Sequence, residues 1–318
     1  MIASSQEKPT RFRMRFPATS ANLGAGFDAA AVALNFFLEV EAEPAIEFSM
    51  NASGRDAYLC SEIDDNLILG VYKKLLTECG KPVTPLAIRM HNEIPLGMGC
   101  GSSAAGRLAG IALAVHFGQL GWSADRILEE ACVLEGHPDN AAACWLGGFV
   151  AAASEGRKVH LARVEPPPEW RAILVLPPDS LATSKARAVL PDSYSRADAV
   201  VNIQSVSLLG LAFSQSRGDL LHAAMRDRIH QPFRTPICPM LPRLLPLAGT
   251  QGILGVALSG AGPAVLVIVG AEGDLESATE TMRLKLNGLP DPEFLVCSFE
   301  GAGANRAYCP QFSQVSHR

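Results

Sequence analysis

The sequence predicts an α+β fold in two domains. Three observations carry that reading. Strand-like and helix-like patterns are mixed along the chain, without the regular βαβ alternation of a doubly wound sheet. The run Glu165-Pro166-Pro167-Pro168-Glu169 can continue neither helix nor sheet and divides the chain. The length of 318 residues, 48% apolar and 19% charged, supports a sizeable core of ordinary globular composition. The expected boundaries are residues 1–165 for an N-terminal domain, 166–301 for a C-terminal domain and 302–318 for a loose polar tail.

The elements follow in order. Residues 11–16 alternate arginine with apolar side chains and read as a half-buried strand. Residues 17–28 form a loop of small residues, and 33–42 and 46–50 are further strands. Residues 66–80 read as a helix, with Leu67, Ile68, Val71, Leu75 and Leu76 on one face. Residues 86–92 alternate as a strand that runs into a glycine-rich loop, and 104–117 form an alanine-rich buried helix. Helices at 124–134 and 141–146 precede a strand at 149–153. Beyond the prolines come a strand at 171–176, helices at 199–213 and 219–226, paired strands at 253–258 and 264–269, a helix at 275–286 and a strand at 294–299. Residues 251–271 carry no charge, but the centre Ser259-Gly260-Ala261-Gly262-Pro263 would break a membrane-spanning helix.

Composition narrows the function. The formal net charge is −5 and no basic stripe is present, which argues against a nucleic-acid partner. Cysteines stand at 60, 79, 100, 132, 144, 238, 297 and 309, with no C-x-x-C pair and no zinc spacing. Several lie in apolar runs, so the reading is a reducing, cytoplasmic compartment. Residues 1–16 are charged and hold no apolar stretch, unlike a signal peptide.

The chemistry starts at Pro95-Leu96-Gly97-Met98-Gly99-Cys100-Gly101-Ser102-Ser103-Ala104-Ala105. Three alternate glycines leave the backbone bare just before a helix. The first turn of a helix offers unpaired N–H donors and the positive end of its dipole, which together seat a phosphate. The segment lacks the lysine of a Walker loop, and Ser102 stands where G-x-G-x-x-G needs its third glycine. Alone it could be a flexible turn before a core helix.

Other segments have plain readings when taken singly. Glu135 falls on the apolar stripe Leu128, Ala131, Cys132, where a carboxylate needs a partner such as magnesium, unless the helix frays at Gly136. Glu129 and Glu130 fall off that stripe. His137-Pro138-Asp139-Asn140 either opens and caps the next helix or aims a polar cluster at a substrate. Asn22 and Asp28 suit turns, and Arg187 and Arg234 suit a solvated surface.

Together these segments resemble the GHMP kinases, named for galactokinase, homoserine kinase, mevalonate kinase and phosphomevalonate kinase. Three family motifs stand in order at 17–28, 95–105 and 259–263, the second close to P-x-x-x-G-L-G-S-S-A-A. Within the family the chain is most similar to the homoserine kinases. The residues behind this are Ser20-Ala21-Asn22-Leu23-Gly24, Gly26-Phe27-Asp28, Glu135 to Asn140 with Gly147-Gly148, 183–187, and Asp227-Arg228-Ile229-His230-Gln231-Pro232-Phe233-Arg234. Cys100 replaces the usual leucine, and Gln231 stands where glutamate is common.

The resemblance implies a nucleotide-loop domain, a ferredoxin-like C-terminal domain and a site in the cleft between them. It implies ATP held by the amides of residues 95–105, with Mg2+ on Ser103 (or Ser102) and Glu135. Asn66 would lie near the adenine, and Gly260 to Gly262 would close over the phosphates. The implied acceptor is L-homoserine. Arg187 and Arg234 would take its carboxylate and Asp28 its ammonium, while Asn22 and Asn140 orient the hydroxyl with His137 and Thr183 nearby. Asp139 aligns with a base that some relatives use; here its role is expected to be partly structural. No nucleic-acid or membrane partner is implied, and homodimers are common in the family. The alternatives are a mevalonate-like alcohol as acceptor, or a silent ligand sensor on the same scaffold.

Overall fold

The structure is a computed structural model that describes residues 10–308. The first sheet holds β1 (Phe12–Asn22), β2 (Gly26–Pro44), β3 (Ser49–Gly54), β4 (Leu86–Asn92), β5 (Phe149–Glu155) and β6 (Lys158–Val164). Its order is β3-β4-β2-β5-β6, with β1 also paired to β2. β2 is 19 residues long and organises the sheet. Its first part pairs with β5 (Ala30↔Ala151) and its last part with β4 (Leu38↔Asn92).

The alternation in β1 works as expected. Phe12, Met14 and Phe16 are buried, and each such burial contributes ~1.5–3 kcal/mol. Arg11, Arg13 and Arg15 face outward beside Glu39, Glu41 and Glu43, pairs worth about 0–1 kcal/mol each. Residues 17–28, expected as a loop, are mostly strand: β1 continues to Asn22 and β2 begins at Gly26. From Phe16 to Asn22 every residue is buried, so no period-two signal survives in this stretch.

Helices α1 (Ala57–Ser61), α2 (Leu67–Glu78), α3 (Ser102–Phe117), α4 (Ala124–Glu135) and α5 (Asp139–Leu146) complete this half. α3 is buried on nearly every side and packs against α2, α4, α5 and β1. Glu130, which falls off the apolar stripe of α4, is nonetheless buried; Arg126 (3.1 Å) and Arg157 pair with it.

The second sheet holds β7 (Arg171–Leu176), β8 (Ile253–Leu258), β9 (Val265–Val269) and β10 (Glu293–Cys297), in the order β10-β7-β9-β8, all antiparallel. Between β7 and β8 run α6 (Thr183–Ala188), α7 (Arg196–Ser214), α8 (Leu221–Ala224), α9 (Gln231–Arg234) and α10 (Leu241–Leu244). α11 (Leu275–Lys285) joins β9 to β10. This is the split βαβ, ferredoxin-like arrangement.

The uncharged stretch 251–271 is the β8–β9 hairpin, and β9 is buried at every position. Among the described residues, α7 is the helix whose length and composition would allow a membrane crossing. Its Asn202 is buried, bonding Ala25 O and the amide of Arg228.

Two further expectations fail locally. The strand expected at 46–50 starts only at Ser49, and Ile46 is fully exposed. The tail expected to be loose after Gly301 is packed as far as Tyr308: Ala304 is buried, and the Tyr308 hydroxyl donates to Trp122 O at 2.8 Å. Small residues explain the docking, since Gly303 lies against the backbone of Trp145 and Leu146. Cys309 and residues 310–318 lie outside the described residues.

Candidate active site

Three glycine-bearing loops meet around a cavity of ≈ 640 Å³, a size suited to a small-molecule site. Hydrogen bonds join them. Ser259 Oγ donates to Gly99 O (2.7 Å), the amide of Gly260 to Ala21 O (3.0 Å), and Asn22 Nδ2 to Gly260 O (2.7 Å). The two halves of the chain thus meet at the mouth of the cavity.

Gly97, Gly99 and Gly101 all have left-handed backbones, with φ of 67°, 78° and 75°. Gly99 and Gly101 also leave no space for a side chain. A Cβ on Gly99 would collide with Ser259 O, and one on Gly101 with Thr19 Oγ1. Gly101 caps α3 without any side-chain acceptor, and Gly101, Ser102, Ser103 and Ala104 line the cavity. The first-turn amides are therefore available to an anion. Leu96, Gly97 and Gly99 line it too, whereas Pro95, Met98, Cys100 and Ala105 do not. Cys100 turns into the core, where burial pushes its thiol up to about 12. Gly260 lines the cavity, but Gly262 sits behind it, against Gly99 and Cys238.

Asn66 lines the cavity, yet its amide is largely spent on capping α2. Oδ1 accepts from the amides of Ile68 (3.0 Å) and Leu69 (3.3 Å), and Nδ2 donates to Glu62 O (3.0 Å). The apolar lining beside it comes from Leu59, Leu67, Ile68, Met90 and Ile94.

Glu135 ends α4, and its side chain is 8% exposed. Arg107 contacts it and also contacts Ser103 Oγ. Both expected metal donors therefore share one guanidinium. Two hard oxygen donors facing a common positive charge have the donor chemistry a magnesium ion requires.

The other end of the cavity is lined by charge. Arg187 holds Asp28 through two bonds, Nη2–Oδ1 at 2.7 Å and Nη1–Oδ2 at 3.0 Å. The expected cation and anion sites are thus paired with each other. Arg234 is 1% exposed and among the described residues makes no ion pair. Its Nε donates to Ala186 O (3.1 Å) and its Nη1 to His230 Nδ1 (3.0 Å). Arginine only donates, so Nδ1 is the acceptor and the proton sits on Nε2, which donates to Gly24 O (2.9 Å) in a neutral ring; burial lowers the pKa of His230. Burial and the charge of Arg187 also lower the pKa of Arg234. A ring from Phe27 lies 5.6 Å from Arg187 and 5.5 Å from Arg234.

Asp139 is buried at the start of α5. One oxygen, Oδ1, faces His137 Nδ1 (2.6 Å) and accepts from the Asn140 amide (2.6 Å). Burial works against the His137 imidazolium, but the bond to Asp139 and the charges of Asp139, Asp28 and Glu135 together raise its pKa. One ligand atom each from Asp28, His137 and Asp139 lies within 4.8 Å of the others. Asn140 Oδ1 accepts from Thr19 Oγ1 (2.7 Å), and Asn22 Oδ1 accepts from the Asp28 amide (3.0 Å). Both asparagines line the cavity while also holding its walls together. Thr183 lies exposed on the lining at the start of α6.

Comparison with known proteins fixes the family. Residues 66–148 match the GHMP kinase N-terminal domain model and 211–287 the GHMP kinase C-terminal model. A homoserine kinase of Solibacter usitatus is 42% identical over 295 residues, 92% of this chain and 96% of that protein. The chain belongs to the GHMP kinase family. A homoserine kinase of Thermus thermophilus is 40% identical, over 85% of this chain and 92% of its own. Among solved structures, a putative homoserine kinase from Listeria monocytogenes superposes with a TM-score of 0.73 at 28% identity, covering 92% and 97% of the two chains. One from Cytophaga hutchinsonii shares the fold at a TM-score of 0.75 and 23% identity, covering 95% and 98%.

Within this GHMP kinase, sequence reasoning passed over Thr19, Phe27 and Arg107. The first two lie inside quoted motifs but carried no role. Arg107 follows Ser103 by four residues, the helical spacing that stacks one side chain on the other.

Proposed function

We infer that the chain is a homoserine kinase that transfers the γ-phosphoryl group of ATP to the side-chain hydroxyl of L-homoserine. The products are ADP and O-phospho-L-homoserine. The observation that carries the acceptor is Arg234: a buried guanidinium that makes no ion pair among the described residues, lining the same cavity as the phosphate seat. A buried arginine of this kind calls for an anion from outside. The homoserine kinases at 42% and 40% identity support the same acceptor.

The roles follow from position. The amides of residues 101–104 hold phosphate oxygens at the N-terminus of α3. Ser103 and Glu135 would hold magnesium, which when bound neutralises charge on the β- and γ-phosphates. Leu59, Leu67, Ile68, Met90 and Ile94 enclose the adenine.

At the acceptor end the Asp28–Arg187 pair exchanges partners with a zwitterion. The substrate carboxylate goes to Arg187 and Arg234, and its ammonium to Asp28. Such an exchange trades one ion pair for two, so desolvation is offset on both sides. Asn140, oriented by Thr19, and His137, oriented by Asp139, face the hydroxyl. Asp139 acts chiefly as a positioning group: its Oδ1 orients His137 and accepts from the Asn140 amide. A loose phosphoryl-transfer transition state asks little of the nucleophile, so positioning and charge carry the catalysis. The seven described cysteines are free thiols, which supports a cytoplasmic setting.

A coupled ADP-release assay over a panel of alcohols tests this reading. Homoserine is expected to give turnover, and mevalonate and galactose to give little. Turnover with mevalonate but not homoserine would replace the acceptor.

A further inference from the structure

Arg107 is not part of the glycine-loop motif, yet it lines the same cavity as the phosphate seat. It contacts Ser103 Oγ one turn earlier on α3 and Glu135 at the end of α4. Its side chain is 24% exposed and that of Glu135 8%. A simple clasp between two helices would lie outside the cavity, but Ser103, Arg107 and Glu135 all line it. The guanidinium therefore occupies the position that the two oxygen donors offer to a divalent cation.

We propose that Arg107 is a resident cation which holds the metal seat in the nucleotide-free protein and yields it only to metal that arrives with nucleotide. This rests on Ser103 and Glu135 being the metal donors of the proposed kinase. Three physical points support it. Glu135 lies close to His137 (3.9 Å), in a cavity whose wall also carries Asp28 and Asp139; a neutralising partner lowers the cost of its burial. A free divalent ion must displace the guanidinium with no compensation, so the empty seat has low metal affinity. A metal–nucleotide complex brings phosphate oxygens within reach of the long arginine side chain, so the displaced guanidinium gains new charge-assisted bonds. Metal loading is thereby coupled to nucleotide loading, and Arg107 adds to the hold of the α3 amides on metal-free nucleotide.

The test measures binding rather than turnover, using Mn2+ followed by its electron paramagnetic resonance and ADP followed by calorimetry. Wild-type protein is expected to bind Mn2+ weakly without nucleotide and much more tightly with ADP. Arg107→Met is expected to bind Mn2+ about tenfold or more tightly without ADP, and metal-free ADP about tenfold more weakly. Arg107→Lys keeps a cation at the seat, is expected to preserve the exclusion, and covers the case in which the methionine variant fails to fold. Equal Mn2+ affinity for wild type and Arg107→Met, or tight Mn2+ binding by nucleotide-free wild type, would overturn the proposal and leave the kinase reading intact. Absence of ADP binding in every variant would overturn the kinase reading and this proposal with it.

Discussion

The two ends of the cavity are built by opposite means. At the phosphate end, one continuous segment joined by Glu135 of α4, most of what is offered is backbone: left-handed glycines and the uncapped start of α3. The acceptor end is assembled from separate places in the chain, Asn22 to Asp28, His137 to Asn140, Arg187 and Arg234, and what it offers is side chains. At the first end the amides stand ready. At the second, Asp28 and Arg187 hold each other, and the proposed acceptor would have to exchange with both. A rigid backbone seat suits a group that every turnover brings, the phosphates. A paired charge site suits discrimination, because only a zwitterion replaces both halves of the pair at once.

Variants at the two ends should separate these roles. Glu135→Gln at the phosphate end is expected to lower kcat by about 10²–10³ and to shift the magnesium dependence of the rate. A magnesium titration unchanged from wild type would remove Glu135 from the metal seat. Gly99→Ala combines a positive φ with a collision against Ser259 O. It is expected to cost about 2–4 kcal/mol in urea unfolding and to weaken nucleotide and acceptor binding together. An unaltered unfolding midpoint would contradict the close apposition of the two glycine loops.

At the acceptor end, Arg234→Leu is expected to raise the KM for homoserine about 10–100-fold while moving that for ATP little. Equal rises in both constants would sink the carboxylate assignment. The smallest effect concerns pH. The His137 pKa is raised in the folded chain, so its contribution to stability is complete below its unfolded value of about 6.5 and fades as pH rises through the folded value. The stability gap between wild type and His137→Gln should be widest below the unfolded value of about 6.5 and narrow as pH rises through the raised folded value. A gap independent of pH would mean that His137 gains nothing from its carboxylate neighbours.

Much of this was legible in the chain. Residues 86–92 and 171–176 alternate or run apolar as strands do, and both strands form at those bounds. The glycine loop was legible because bare glycines precede an apolar helix, and it gained a specific reading only beside the motifs at 17–28 and 259–263. Other parts left no signal. β6, Lys158–Val164, is exposed or half-exposed along its whole length, so its sequence shows no apolar face. Residues 17–22 are strand but buried on both sides, which erases alternation. The acceptor residues were named through resemblance, but their pairing was not, because Asp28 and Arg187 are 159 positions apart. Arg107 carried a helical-spacing signal beside Ser103, which a motif ending at Ala105 cuts off.

The most direct measurement is phosphorus NMR of a reaction containing the pure chain, ATP, magnesium and L-homoserine. The account predicts a new phosphomonoester resonance, equal in amount to the ADP formed and absent when homoserine is omitted. Loss of γ-phosphate only to inorganic phosphate, or none at all from folded protein that binds ATP, would contradict it.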